Sequence, residues 1–188
     1  MVKSCYIHIP FCQSICSYCD FCKVFYQEDI ASSYLDCLEK EIKEKYKGEV
    51  LDTLYFGGGT PSSLSPSLLE KLFSLCSIFH LSPTCEITME GNVESLTEEK
   101  IQIMKDFGVN RISLGLETTI PSLQKTLERP FSKKIFQKAI SLLRSYGISD
   151  INVDLMYALP GESLEDLKKD LDFLCSLPIT HISTYSLI

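Results

Sequence analysis

Two hydrophobic periods alternate along this chain, and that alternation constrains its fold more than any other feature. Ser4 to Ile9, Leu51 to Phe56, Cys85 to Glu90, Arg111 to Leu116, Ile151 to Met156 and His181 to Leu187 are short runs rich in Ile, Val, Leu and Tyr, the composition of buried strands. Helical patterns with recognisable ends lie between them. Ser65-Pro66 opens one, with proline at the first helical position. Thr97, followed by Glu98 and Glu99, opens another that stops at Gly108, and Ser132 opens one that stops at Gly147. Ser163 begins the last, where Glu165 and Asp166 complement the positive end of the helix dipole. Strands separated by helices pair in parallel through right-handed crossovers. The pattern therefore predicts an α/β chain, a partial (β/α)6 barrel of parallel strands.

Bulk composition narrows the function. The 188 residues are 45% hydrophobic and 23% charged, enough for one sizeable core, and no linker or low-complexity segment divides them. Residues 1–188 read as a single domain. A net charge of −7, with only three arginines, argues against a nucleic-acid groove and favours small-molecule chemistry. No apolar run approaches a membrane span. The chain opens Met-Val-Lys-Ser rather than with a signal peptide and has nine cysteines, an odd number, so it reads as cytoplasmic, with reduced thiols.

Cys12, Cys16 and Cys19 form a CxxxCxxC loop directly after the first strand, within Tyr6-Ile-His-Ile-Pro-Phe-Cys-Gln-Ser-Ile-Cys-Ser-Tyr-Cys-Asp-Phe. Three thiolates this close can converge on one inorganic centre, and their softness selects iron–sulfur or zinc. Zinc is normally closed by four ligands, and Cys22 would be the fourth. If only three bind, one metal position stays open to a substrate or cofactor. Cys5, Cys37, Cys76, Cys85 and Cys175 lie in apolar patterns and read as small core residues.

These residues resemble the radical S-adenosylmethionine (SAM) family, and the flanks resemble its branch of oxygen-independent coproporphyrinogen III oxidases and heme chaperones. The resemblance implies a [4Fe-4S] cluster on Cys12, Cys16 and Cys19, whose fourth iron chelates SAM. Cys22 matches neither the oxidase-like nor the chaperone-like pattern and is taken as a bystander. Members of this branch continue well beyond a sixth strand, so the chain reads as a core fragment lacking a C-terminal region.

In parallel α/β barrels chemistry gathers at the C-terminal ends of the strands, and this chain puts polar groups there. Gly57-Gly58-Gly59-Thr60-Pro61 follows the second strand and can bring bare backbone against a ligand. The family resemblance makes Gly58, Gly59 and Thr60 contacts to the methionine part of SAM. It likewise gives Glu90 the task of holding SAM, Arg129 its carboxylate, which guanidinium pairs bidentately, and Asp154 its ribose hydroxyls. Asp154 lies inside an apolar strand, where a charge needs a partner. Glu117 stands where the family usually has glutamine; it accepts hydroxyls but cannot donate, and it adds negative charge near Glu90 and Asp154. Tyr18 matches a position beside the adenine, Tyr6 another SAM contact, and Ile188 a main-chain contact after the sixth strand. His8, His80 and His181 have no partner that sequence assigns.

Two functions follow from the resemblance. The first is a coproporphyrinogen oxidase, in which an electron, from a donor such as flavodoxin or ferredoxin, cleaves SAM and the resulting radical attacks porphyrin propionates. The second is a heme chaperone that binds heme and passes it on without oxidising porphyrinogen. The short segment before Cys12 and the Cys-Asp-Phe after Tyr18 favour the second modestly. The branch's heme-binding motif contains a tryptophan, and this chain has none.

Overall fold

A computed structural model describes residues 2–187. In chain order the elements are β1 (Ser4–Ile9), β2 (Phe11–Cys12), β3 (Val24–Phe25), α1 (Glu28–Lys45), β4 (Val50–Gly58), α2 (Pro66–Cys76), β5 (His80–Gly91), α3 (Glu98–Phe107), β6 (Arg111–Glu117), α4 (Pro121–Thr126), α5 (Lys133–Ser145), β7 (Asp150–Tyr157), α6 (Leu164–Cys175) and β8 (His181–Ser186). Six strands make one sheet in the order β1-β4-β5-β6-β7-β8, with every neighbouring pair parallel. Spatial order follows chain order, so each crossover advances the sheet by one strand in one direction. That is how a barrel grows, and this one is partial, as the alternation predicted.

The outward side chains of the sheet are apolar. Leu54 pairs with Ile87, Ile112 with Ile151 and Leu114 with Val153, so buried rows run across neighbouring strands. Helices cover these rows with apolar stripes spaced three and four residues apart, such as Leu35, Leu38 and Ile42 on α1 and Phe136, Ile140 and Leu143 on α5. All belong to one continuous core. Each such leucine or isoleucine contributes roughly 1.5–3 kcal/mol by leaving water.

Helix starts behave as read. The hydroxyls of Ser65, Thr97 and Ser132 each accept from a backbone N–H three residues on, and Ser163 forms a capping box with Asp166. Gly108 ends α3 at φ 107°, a left-handed cap that glycine adopts without strain.

Two features were not expected. β2 and β3 are two residues each and leave no periodic signal, and α4 has only six. The cysteine reading needs correction in part. Cys76 and Cys85 are buried and Cys5 partly so, but Cys37 and Cys175 are exposed, because the apolar stripes of α1 and α6 face the sheet through other positions.

Candidate cofactor site

The cysteine loop is tied at its base. Phe11 and Cys12 of β2 pair in parallel with Val24 and Phe25 of β3, while Val24 N–H donates to the Pro10 carbonyl at 2.8 Å and Tyr26 N–H to the Cys12 carbonyl at 2.9 Å. Residues 13–23 therefore loop out from a fixed stem. Cys12 is buried and accepts from the Thr60 hydroxyl at 3.6 Å. Burial pushes its thiol above the ordinary value, while that hydroxyl pulls the other way. Cys16 and Cys19 are partly buried and Cys22 is exposed. Among the described residues no three His, Cys, Asp or Glu side chains are gathered tightly enough to grip a single ion.

The turn after β4 is glycine for steric reasons. Gly58 has φ 121°, and a Cβ there would lie 2.6 Å from the His8 ring; a Cβ on Gly59 would meet the Pro10 carbonyl carbon at 2.7 Å and Cys12 Sγ at 2.9 Å. Backbone thus passes directly beside the first cysteine. Gly59 N–H donates to the Ile9 carbonyl at 2.9 Å and Thr60 N–H to the Phe11 carbonyl at 2.8 Å, locking this turn to the stem of the cysteine loop. His8 has partners after all: Tyr6 Oη lies 3.1 Å from its Nδ1 and the Cys22 carbonyl 2.9 Å from its Nε2.

Three carboxylates enter from neighbouring strands. Glu90 accepts from Tyr55 Oη at 2.7 Å and from Gly58 N–H at 3.0 Å. Asp154 accepts from Ser113 Oγ at 3.2 Å and from Asn152 Nδ2 at 2.8 Å. Burial raises both above the ordinary carboxylate range, and these donors offset part of the rise. Glu117 closes β6. Its Oε2 lies 2.6 Å from Arg129 Nε, with the two side chains only 7% and 18% exposed, yet no aligned hydrogen-bond donor points at that oxygen. Burial pushes its carboxyl up to about 7, against the pull of the guanidinium.

Arg129 reaches this position through α4. Glu128 N–H donates to the Lys125 carbonyl at 3.2 Å and Arg129 N–H to the Gln124 carbonyl at 3.0 Å, a Schellman ending with Glu128 left-handed at φ 52°. Leu123 and Leu127 anchor the helix in a small apolar cluster with Met156 and Leu159, against which Tyr18 packs. From there the guanidinium spans Glu117, Asn92 Oδ1 at 2.8 Å and Cys16 Sγ at 3.5 Å. An arginine that sequence alone could place on the surface is instead the hub of the site.

Cys12, Cys16, Cys19, Tyr18, Gly58, Gly59, Thr60, Glu90, Glu117, Arg129 and Asp154 all line one cavity of about 1160 Å³. Tyr6 does not; it is 56% exposed and stacks on Tyr55, with ring centroids 5.9 Å apart. Ile188 lies outside the described residues. Sequence reasoning missed Tyr55, Asn92, Arg111, Ser113, Asn152 and Tyr185, which share the cavity wall. The signal was present: polar residues or glycine alternate with apolar residues along Arg111-Ile-Ser-Leu-Gly-Leu-Glu117 and Asn152-Val-Asp154, so one face of each strand is free of apolar side chains. No described helix is long and apolar enough to cross a membrane.

Residues 6–174 match the Radical SAM superfamily. The chain is 39% identical to the heme chaperone HemW of Bacillus subtilis (strain 168), over 100% of this chain and 51% of that protein. It is 32% identical to the oxygen-independent coproporphyrinogen III oxidase of Helicobacter pylori (strain J99 / ATCC 700824), over 99% of this chain and 42% of that one. Among solved structures, coproporphyrinogen III oxidase (HemN) from Escherichia coli superposes with a TM-score of 0.91 at 27% identity, over 99% of this chain and 44% of that one. The chain spans about half the length of the curated relatives it matches.

Proposed function

The chain belongs to the radical SAM superfamily, and from that premise we propose that it is the cluster- and SAM-binding core of a heme chaperone. Membership implies a [4Fe-4S] cluster and SAM. The donor set suits both. Three soft thiols line one wall, bare glycine backbone runs beside Cys12, and a buried Glu117 oxygen without an aligned donor faces the Arg129 guanidinium.

In this reading Cys12, Cys16 and Cys19 would hold the cluster, leaving it one position without a protein thiolate, open to SAM. When bound, this group supplies one-electron reduction of the sulfonium, with the electron coming from a carrier such as flavodoxin or ferredoxin. The chain's own residues do the rest. Gly58, Gly59 and Thr60 line the methionine end, and Glu90, already aligned by Tyr55 and Gly58, accepts from the amino group. Arg129 pairs with the SAM carboxylate, Glu117 and Asp154 accept ribose hydroxyls, and Tyr18 covers the adenine. Tyr6 contributes at one remove, through its ring against Tyr55.

The convergence of the three cysteines with Thr60, Glu90, Arg129 and Asp154 on one cavity carries the SAM reading. The choice of chaperone rests on the 39% identity along the whole chain, against 32% for the oxidase. The oxidase, the first reading from the sequence, remains the second because the HemN barrel superposes so closely. Full-length protein reconstituted anaerobically with iron and sulfide is expected to cleave SAM, and Cys16→Ser is expected to lose both cluster and cleavage. Retained cleavage in that variant refutes the ligand set. Heme titration should then show tight binding, with no carbon dioxide from coproporphyrinogen III; sustained release decides for the oxidase.

A further inference from the structure

Glu117 holds a backbone conformation that L residues rarely adopt, with φ at 62°. It sits where the β6–β7 pairing slips between Gly115 and Glu117, and Thr118 N–H donates to the Leu116 carbonyl at 2.8 Å to close a three-residue turn around it. A strained conformer of this kind persists only where its surroundings over-determine it. The next two residues are seized from across the sheet. Asp170, on α6 and 0% exposed, accepts from the Thr118 hydroxyl at 2.7 Å, from Thr119 N–H at 2.7 Å and from the Thr119 hydroxyl. Thr118 Oγ1 in turn accepts from Ile120 N–H at 3.1 Å. None of the ion pairs among the described residues includes Asp170. A buried carboxylate without a cation is costly unless hydrogen bonds satisfy it, so this clamp and the turn it grips define each other.

We propose that Asp170 is a positioning residue for the ribose end of the cavity: from α6 it pins Thr118 and Thr119, and so holds Glu117 in its left-handed turn with the carboxylate against Arg129. The ligand named here, SAM, rests on the proposed function; the clamp does not. Asp170 is absent from the cavity wall and reaches it only through this loop.

The test is a double-mutant cycle on full-length, anaerobically reconstituted protein, with SAM affinity read by calorimetry. Asp170→Asn and Glu117→Ala are each expected to weaken SAM binding about tenfold, while the double variant binds no more than about twofold worse than Glu117→Ala, because both remove the same placed carboxylate. Iron content should stay at the wild-type level, since neither Asp170 nor Glu117 is among the three proposed iron ligands. Additive losses overturn the proposal and reduce Asp170 to a general support of α6. A second readout needs no SAM. Crystal structures of Asp170→Asn and of Thr118→Val should show Glu117 relaxed to negative φ with its Arg129 contact broken, and an unchanged left-handed Glu117 in both refutes the clamp. If wild-type protein binds no SAM, the proposed function fails, while these structures still decide the role of Asp170.

Discussion

The two faces of the six-stranded sheet come from the same strands, one residue apart, and differ in almost every physical respect. β6 shows it most compactly. Ile112, Leu114 and Leu116 point outward into the helices and are buried, whereas Arg111, Ser113, Gly115 and Glu117 point inward and line the cavity. Branched apolar side chains commonly fill the interior of a closed parallel barrel. Here the interior carries carboxylates that burial drives above their ordinary titration range. The outer face lowers the free energy of the fold, and the inner face raises it by gathering buried polar groups around one cavity.

If that division is right, truncations to alanine on the two faces must part company. Leu114→Ala, at a position 0% exposed, is expected to destabilise by about 2–5 kcal/mol through lost transfer energy and a cavity. Ser113→Ala, its inward neighbour, is expected to cost about 1 kcal/mol, the typical loss of a hydrogen bond, while weakening SAM binding by releasing Asp154. Urea unfolding of both variants checks the pair. Equal destabilisation, or unaffected SAM binding in Ser113→Ala, breaks the comparison.

Titration sharpens it next. Glu117 titrates in the fold at about 7, above an ordinary glutamate at about 4.3. The folded protein therefore keeps a proton that the unfolded chain releases. That stabilising contribution is fully present below about pH 4.3 and is lost as pH rises through about 7, at about 1.4 kcal/mol for each pH unit of the window. Glu117→Gln abolishes this dependence. It should exceed metal-free wild type in stability by on the order of 3 kcal/mol above neutrality, with the gap closing toward pH 5. A gap that widens on acidification would mean that Arg129 outweighs burial, reversing the sign. Arg129, Asp154, Tyr18 and Glu94 all act on this group, Arg129 most strongly.

Gly58→Ala probes the rim between the faces. With φ 121° and only 2.6 Å between the new Cβ and the His8 ring, it should cost roughly 1–3 kcal/mol in backbone strain. A cost near zero, by the same unfolding measurement, would mean that the turn relaxes freely and does not hold the backbone beside Cys12.

The outer face was the legible one. Six strands and the capped helices follow from apolar period and from Ser65, Thr97, Ser132 and Ser163, because burial and capping are local and repeat. The inner face was legible only where a polar residue fell at a strand end, as with Glu90 and Glu117, or where a charge stood inside an apolar strand, as with Asp154. Tyr55, Ser113 and Asn152 hide inside strands, and only pairing across the sheet brings them to the same wall. Asp170 and α4 were beyond reach for another reason. A buried aspartate on an amphipathic helix looks like any solvated one until Thr118 and Thr119 arrive beside it, and six residues are too few to show a helical period.

Tyr6 marks where the inner face stops. Its ring stacks on Tyr55 but its hydroxyl turns to His8 at 3.1 Å, outside the cavity. Tyr6→Phe keeps the ring and deletes one exposed hydrogen bond, so the expected loss is no more than about 0.5 kcal/mol, with SAM affinity changed less than about twofold. Tyr55→Phe deletes the 2.7 Å donor to Glu90 and leaves a buried carboxylate short of a partner, which should weaken SAM binding several times more. Calorimetry on the two variants places the boundary. Comparable losses would extend the functional face across β1 to the edge of the sheet, and the polar interior would then be continuous from the first strand to the last.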